Sequence, residues 1–194
     1  MGMKAELRDI EPVFGWLPWY NHEVDERSPF HDVEHNLFYY DRSINRIPAH
    51  PLWDDMGSES LLLKILFVDY QEGYAIIELF GEWNDLYEND FKILLENCLN
   101  CLIDYGVQKF IFICENVFHA YLDADDYYHA AYEELEDGWM TIVRARDCVK
   151  EELDQYGISQ YFYFNDIIDE LPWRKLKPFQ LYHLIEGRMQ KVLE

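Results

Sequence analysis

The sequence predicts a mixed α/β domain: a largely parallel sheet opened by an antiparallel hairpin, helices packed on the sheet, and an irregular arm in front. Three observations carry this. Residues 61–69 and 74–80 are two runs of β-formers separated by Gln71, Glu72 and Gly73, the pattern of a hairpin. Phe110, Ile111, Phe112 and Ile113 form an unbroken apolar run, as a central strand covered on both faces requires. From there helix-like and strand-like stretches alternate, which implies parallel strands joined by helical crossovers.

The elements follow in order. Residues 1–57 are rich in proline (Pro12, Pro18, Pro29, Pro48, Pro51) and aromatics, with short apolar pieces such as residues 36–40 and no sustained period. They predict an arm with one edge strand that packs its aromatics on the main domain, residues 58–194. After the hairpin, Phe91, Leu94, Leu95, Cys98, Leu102 and Tyr105 recur at helical spacing. Asn84 or Asn89 can cap the start of that helix, and Gly106 stands where a left-handed C-terminal cap belongs. A strand over residues 109–114 follows, then a helix over 125–136, a strand over 139–145, a helix over 147–156 and a strand over 160–164. A last helix covers 178–193, with Pro178 in its first turn, where the missing N–H costs nothing.

A chain of 194 residues suits one domain with a core large enough to fold without staples, and its 6 tryptophans are spread along the whole length. Acidic residues outnumber basic ones 38 to 16, for a formal net charge of -22. Such a surface repels phosphate backbones and anionic headgroups, so neither nucleic acid nor membrane is expected as a partner; solubility is the simplest role of the charge. The start of the chain lacks an apolar signal core, which places the expected location in the cytoplasm. Gly2 poorly fits an acylation site, because Glu6 stands where serine or threonine is wanted. The 4 cysteines, Cys98, Cys101, Cys114 and Cys148, fall inside expected helices and strands and read as free, mostly buried thiols.

Residues 74–85 run from an apolar strand into Gly81, Glu82, Trp83, Asn84 and Asp85 before a helix, and residues 110–117 run from an apolar strand towards a polar loop. Together with the element order, these stretches resemble the STAS domain of bacterial anti-sigma-factor antagonists over about residues 61–164. The resemblance implies a module that binds a protein partner at the loop beyond the central strand. In that family the loop carries an Asp-Ser-Ser-Gly-like motif whose serine is phosphorylated. Here it runs Glu115, Asn116, Val117, Phe118, His119, Ala120, Tyr121, Leu122, Asp123, Ala124, Asp125, Asp126, without a serine. The switch is therefore not carried over; a binding surface is.

Other patterns point to other chemistry. His31, Asp32, Val33, Glu34 and His35 match His-x-x-Glu-His, in which a helix sets two imidazoles on one face of zinc. Pro29 and the weak helical stripe around the motif favour a polar turn instead. Cys98 and Cys101 form Cys-x-x-Cys, but in the second half of a helix rather than at its start, so they read as core packing. Asp123, Asp125 and Asp126 could hold magnesium or calcium, yet lack the spacing of a calcium loop and read as helix-capping residues. Glu133, Glu134, Glu136 and Asp137 extend the acidity, with no lysine or arginine from 122 to 143, and Tyr127, Tyr128, Tyr132 and Trp139 interleave them. Charge mixed with aromatics suits an interface centre. No phosphate-binding glycine loop or nucleophile elbow is present.

The function expected is a non-enzymatic protein-interaction or regulatory module without cofactor. It would bind a basic protein partner through Glu115, Asn116, His119, Asp123, Asp125, Asp126, Glu133 and Glu134. A homo-oligomer is compatible with this reading. The first alternative is a small metal-dependent hydrolase built on His31, Glu34 and His35, or on His119 with nearby carboxylates; the second is a structural subunit of a larger assembly.

Overall fold

In the computed structural model, which describes residues 10–163 and 165–190, the arm makes a 3-10 turn (His22–Val24) and a small antiparallel hairpin. The hairpin strands are β1 (Ser43–Ile44) and β2 (Ile47–Pro48). The expected edge strand of the arm is this separate pair, which does not extend the main sheet; an isolated bridge from Asp54 to Leu63 joins the arm to that sheet. Prolines scattered through the arm remove the donors a longer ladder needs.

The main sheet consists of β3 (Leu61–Asp69), β4 (Tyr74–Asn84), β5 (Lys109–Tyr121), β6 (Trp139–Val143) and β7 (Phe162–Tyr163), in that order across the sheet. β3 and β4 pair antiparallel around the turn at Gly73, whose φ is +67; the remaining pairs are parallel. The mixed α/β class and its opening hairpin are as the sequence predicts. Boundaries differ. β4 continues to Asn84 and β5 to Tyr121, so residues 115–121 are strand rather than loop, and β6 stops at Val143. Residues 158–161 are a 3-10 turn before the two-residue β7. Phe164 and residues 191–193, parts of the last expected strand and helix, lie outside the described residues.

The helix expected after β4 is broken into pieces: α1 (Asp85–Glu88), α2 (Asp90–Leu94), a π-turn (Leu95–Leu99) and α3 (Asn100–Asp104). Asn84 caps α1 through its side chain, accepting from the Tyr87 N–H at 3.2 Å. Asn89 is left-handed (φ 56) and restarts the helix. The restart places the Asp90 carboxylate, fully buried, within reach of the Ser58 hydroxyl (2.5 Å), the Ser60 hydroxyl (2.8 Å) and the Asn84 N–H (2.7 Å). With α4 (Asp126–Glu134) and α5 (Asp147–Gln155), these helices cover one face of the sheet, packing Phe91, Leu94, Cys98, Leu102, Tyr128 and Val149 on Phe110 and Phe112.

The alternate residues, Ile111 and Ile113, face the other side. There the short α6 (Asp166–Asp169), the 3-10 turn Trp173–Lys175 and the C-terminal α7 (Pro178–Gln190) build a second core with Trp16, Trp173 and Tyr182. Further along the same face, Trp53 of the arm stacks on Phe80 (5.2 Å between centroids), and Phe118 meets Phe80 edge-on, forming a third cluster.

Gly81, in the irregular stretch of the β4–β5 pairing, has φ +127, and a Cβ there would lie 2.2 Å from the Ser60 carbonyl oxygen. Gly187, inside α7, has open space around it. Gly81→Ala is therefore expected to destabilise the fold by about 2 kcal/mol or more, while Gly187→Ala stabilises it by about 0.5–1 kcal/mol through helix propensity. Urea denaturation of the two variants against the parent checks both signs.

Candidate functional site

The interface residues expected from the sequence fall mainly into two separate places. The first is the start of α4. Because β5 runs to Tyr121, the connection to α4 is only residues 122–125, and Leu122 is buried while Asp123 and Ala124 are exposed. Tyr128, Ala131 and Leu135, at helical spacing, turn inwards. That leaves Asp126, Tyr127, Tyr132, Glu133 and Glu134 outside, with Tyr127 39% and Tyr132 50% exposed. Asp125 holds the N-cap position, but its side chain does not cap: its carboxylate accepts the Tyr161 hydroxyl at 2.6 Å, which corrects the capping role expected for it.

A cavity of about 210 Å³ opens beside this helix, lined among others by Asp85, Lys92, Asp123, Asp126 and Tyr127. Asp85 lies at its inner wall, accepting the Phe91 N–H (2.8 Å) and the Tyr128 hydroxyl. Burial pushes its carboxyl up, to about 6; the Tyr128 and Phe91 donors oppose the rise, and the neighbouring Asp90 charge adds to it. Lys92 Nζ stands 5.3 Å above the Tyr127 ring and 4.0 Å from Glu96.

The second place is the opposite face of the sheet. Glu115 and Asn116, expected on the loop, are strand residues whose side chains serve a buried network. Glu115 accepts from Arg174 Nε (2.8 Å) and Trp173 Nε1 (3.2 Å). Asn116 donates to Glu78 Oε1 (3.1 Å), which also lies 3.4 Å from Arg174, while Glu78 Oε2 accepts the Val13 N–H at 2.9 Å. Burial raises the Glu78 carboxyl to about 7, held back by Val13 and Arg174 and pushed further by the Glu115 charge. The two residues thus tie the arm and the C-terminal segment to the sheet and stand apart from the acidic helix. His119 is exposed near the end of β5, its ring 6.3 Å from that of Tyr121. Among the described residues it joins no group of three metal-ligating side chains.

His31, Glu34 and His35 are not brought together. Residues 31–35 form no helix, Asp32 is left-handed (φ 60), His31 pairs with Asp32 at 3.3 Å, and Glu34 is exposed. His35 turns inwards instead, to Asp54 and towards His22: Asp54 Oδ1 lies 3.0 Å from His35 Nε2 and Asp54 Oδ2 lies 2.9 Å from His22 Nε2. His22 and Asp54, far from His35 in sequence and in no repeating pattern with it, escaped sequence reasoning. Their only signal was a histidine and an aspartate beside tryptophan-rich, proline-rich text.

The cysteines are free; burial raises the Cys98 and Cys101 thiols, which excludes the lowered pKa that a redox pair uses. Cys98 and Cys114 are buried, Cys101 is half-buried and Cys148 is exposed on α5. The arm packs Trp16, Phe30 and Trp53, while Leu37, Phe38 and Tyr39 stay outside at 50%, 96% and 65% exposure.

No family model and no curated protein matches the chain. Among solved structures it is similar to the anti-sigma factor antagonist SpoIIAA in its unphosphorylated form, at 14% identity and a TM-score of 0.45, over 64% of this chain and 96% of that one. It is similar to the Bacillus cell fate determinant SpoIIAA in the phosphorylated form, at 14% identity and a TM-score of 0.37, over 54% and 93%. A Thermotoga maritima protein described as an anti-sigma factor antagonist gives 16% identity and a TM-score of 0.35, over 54% and 86%. Likeness at this level concerns the course of the chain, not what it binds. Among the described residues no helix is long and apolar enough to cross a membrane.

The raised Glu78 carboxyl has a signed consequence. Between the ordinary value of 4.5 and about 7 the folded protein holds a proton that the unfolded chain has lost. Stability is therefore expected to fall as pH rises through that interval, by on the order of 3 kcal/mol. Denaturation at pH 5 and pH 7.5 should show a slope that Glu78→Gln flattens, whatever its effect on absolute stability.

Proposed function

We propose that the protein is a regulatory interaction module that performs no chemistry of its own and docks a basic protein segment on α4 and the connection before it. The observation that carries this reading is the outer face of α4: exposed Tyr127 and Tyr132 set among Asp123, Asp126, Glu133 and Glu134, with no lysine or arginine between 122 and 143. Tyrosine supplies contact area with few rotors to freeze, and the surrounding carboxylates steer a cationic partner and fix its register. Asp85, the carboxylate at the inner wall of the cavity, is engaged by the Tyr128 hydroxyl and the Phe91 N–H rather than by a nucleophile or a base, which suits recognition better than catalysis. Of the eight residues expected at the interface, Asp123, Asp126, Glu133 and Glu134 form the centre, Asp125 holds the loop through Tyr161, and His119 lies beyond it on β5. Glu115 and Asn116 support the fold behind.

A protein captured from the native cell extract and identified by mass spectrometry should lose affinity at least ~10-fold when Asp123, Asp126, Glu133 and Glu134 are reversed to lysine, and should bind less tightly as salt rises. Because Asp85 gives up its proton near pH 6, binding should strengthen as pH rises through that value. A captured protein indifferent to the reversal, or no capture at all, removes the reading.

A further inference from the structure

We propose that His22, His35 and Asp54 form a zinc site that fastens the arm to the edge of the sheet. The three side chains come from separate parts of the arm. His22 opens the 3-10 turn, which Asn21 caps by accepting the Glu23 N–H at 3.0 Å. His35 follows the turn that ends at Asp32. Asp54 is locked against β3 by two backbone hydrogen bonds with Leu63, 2.8 and 3.2 Å long. The site is almost closed: the side chains of His22, Asp54 and His35 are 2%, 0% and 9% exposed.

Their ligand atoms converge within 4.8 Å of one another. His22 Nε2, His35 Nε2 and Asp54 Oδ2 are all buried, and none has a partner in hydrogen-bond geometry despite the 2.9 and 3.0 Å approaches. Buried polar atoms left without hydrogen bonds are costly, and three of them aimed at one point are what a bound cation resolves. Two imidazole nitrogens and one carboxylate oxygen form a donor set for zinc rather than for calcium or magnesium, which take oxygen ligands. Ligands of a tetrahedral zinc with bonds of ~2.1 Å stand ~3.4 Å apart, so the 2.9 and 3.0 Å His–Asp approaches open by a few tenths of an ångström while the Asp54 carboxylate turns to present one oxygen to both imidazoles.

Glu23 stands just outside this group, and its side chain has to turn inwards to supply the fourth position. Its Oε1 lies 3.6 Å from His35 Nε2 and is held by Lys64 Nζ at 3.3 Å. A cavity of about 230 Å³ reaches His22, Glu23 and Lys64 and gives an ion a way in. Lys64 Nζ is also 3.5 Å from Asp54 Oδ1. The lysine is thus the internal cation that an ion competes with, and zinc shifts it towards Glu23 and the cavity mouth.

The test uses the full chain with Zn2+ and Co2+ as probes. The metal-stripped protein should take up one Zn2+ per chain and gain about 5–10 °C in Tm at ~100 times the Kd. Co2+ should give the intense visible bands of a four-coordinate ion, a readout independent of stability. His35→Gln, at the rim of the cluster, should cut zinc affinity by more than the ~10–100-fold that loss of an outer-shell partner costs, and Lys64→Met should raise affinity by removing the competing charge. No zinc-dependent rise in Tm, six-coordinate Co2+ spectra, equal affinity in His35→Gln, or unchanged or weaker binding in Lys64→Met would each overturn the site.

Discussion

Lys64 and Glu78 face each other across β3 and β4 as partners in the antiparallel register, both buried, and no ion pair joins them. A charge removed from water must find compensation nearby or it opposes folding. Lys64 finds it in Asp54 and Glu23 of the arm; Glu78 finds it in the Val13 N–H, Asn116 and, from the C-terminal segment, Arg174. One lysine and one glutamate inside the hairpin thereby dictate where the arm and the segment around Arg174 lie on that face of the sheet.

The same polar seam divides the apolar packing on this face. Trp16, Trp173 and Tyr182 gather on one side of it, and Trp53, Phe80 and Phe118 on the other. The helical face has no such division. Trp83, Phe91 and Tyr128 stack there, with Phe91 and Tyr128 only 3.8 Å apart between centroids, and Phe162 meets all three edge-on. Tyr128 belongs to that stack and also donates to Asp85, so the acidic cavity beside α4 rests directly on it. Its geometry is accordingly set by packing rather than by the short connection alone.

Apolar periodicity is a local signal, and the elements it governs were legible in the sequence: the hairpin at 61–80, the helical stripe through Leu94 and Leu102, the run at Phe110, and the helix begun by Pro178. What the sequence concealed depends on partners far away along the chain. Glu115 and Asn116 have the composition of a loop, and only Arg174, Trp173 and Glu78 make them acceptable inside a strand. Asn89 reads as a cap, but the burial of Asp90 by Ser58 and Ser60 turns it into a break. His35 was noticed for its neighbour His31, whereas its contacts are His22 and Asp54, brought near by the course of the arm. The single signal available for the seam was the interruption itself: one lysine in Leu61–Asp69 and one interior glutamate in Tyr74–Asn84, each where an apolar residue would otherwise stand.

Net charge by itself says little about where a partner binds; the distribution of the few cations says more. Lys109 is committed to Glu186 (2.8 Å), Lys150 to Asp147 and Asp169 (3.0 and 3.1 Å), Arg174 to Glu115 and Glu78, and Lys64 to the arm. Each neutralises carboxylates away from α4. Among the described residues, the carboxylates of residues 123–137 keep as basic neighbours His129, 3.3 Å from Glu133, and Lys92, which lies over the Tyr127 ring beside Glu96. A field of one sign, not cancelled locally and centred on exposed tyrosines, persists at the distances over which proteins first meet. It is the placement of the positive charges, more than the excess of negative ones, that gives this face its direction.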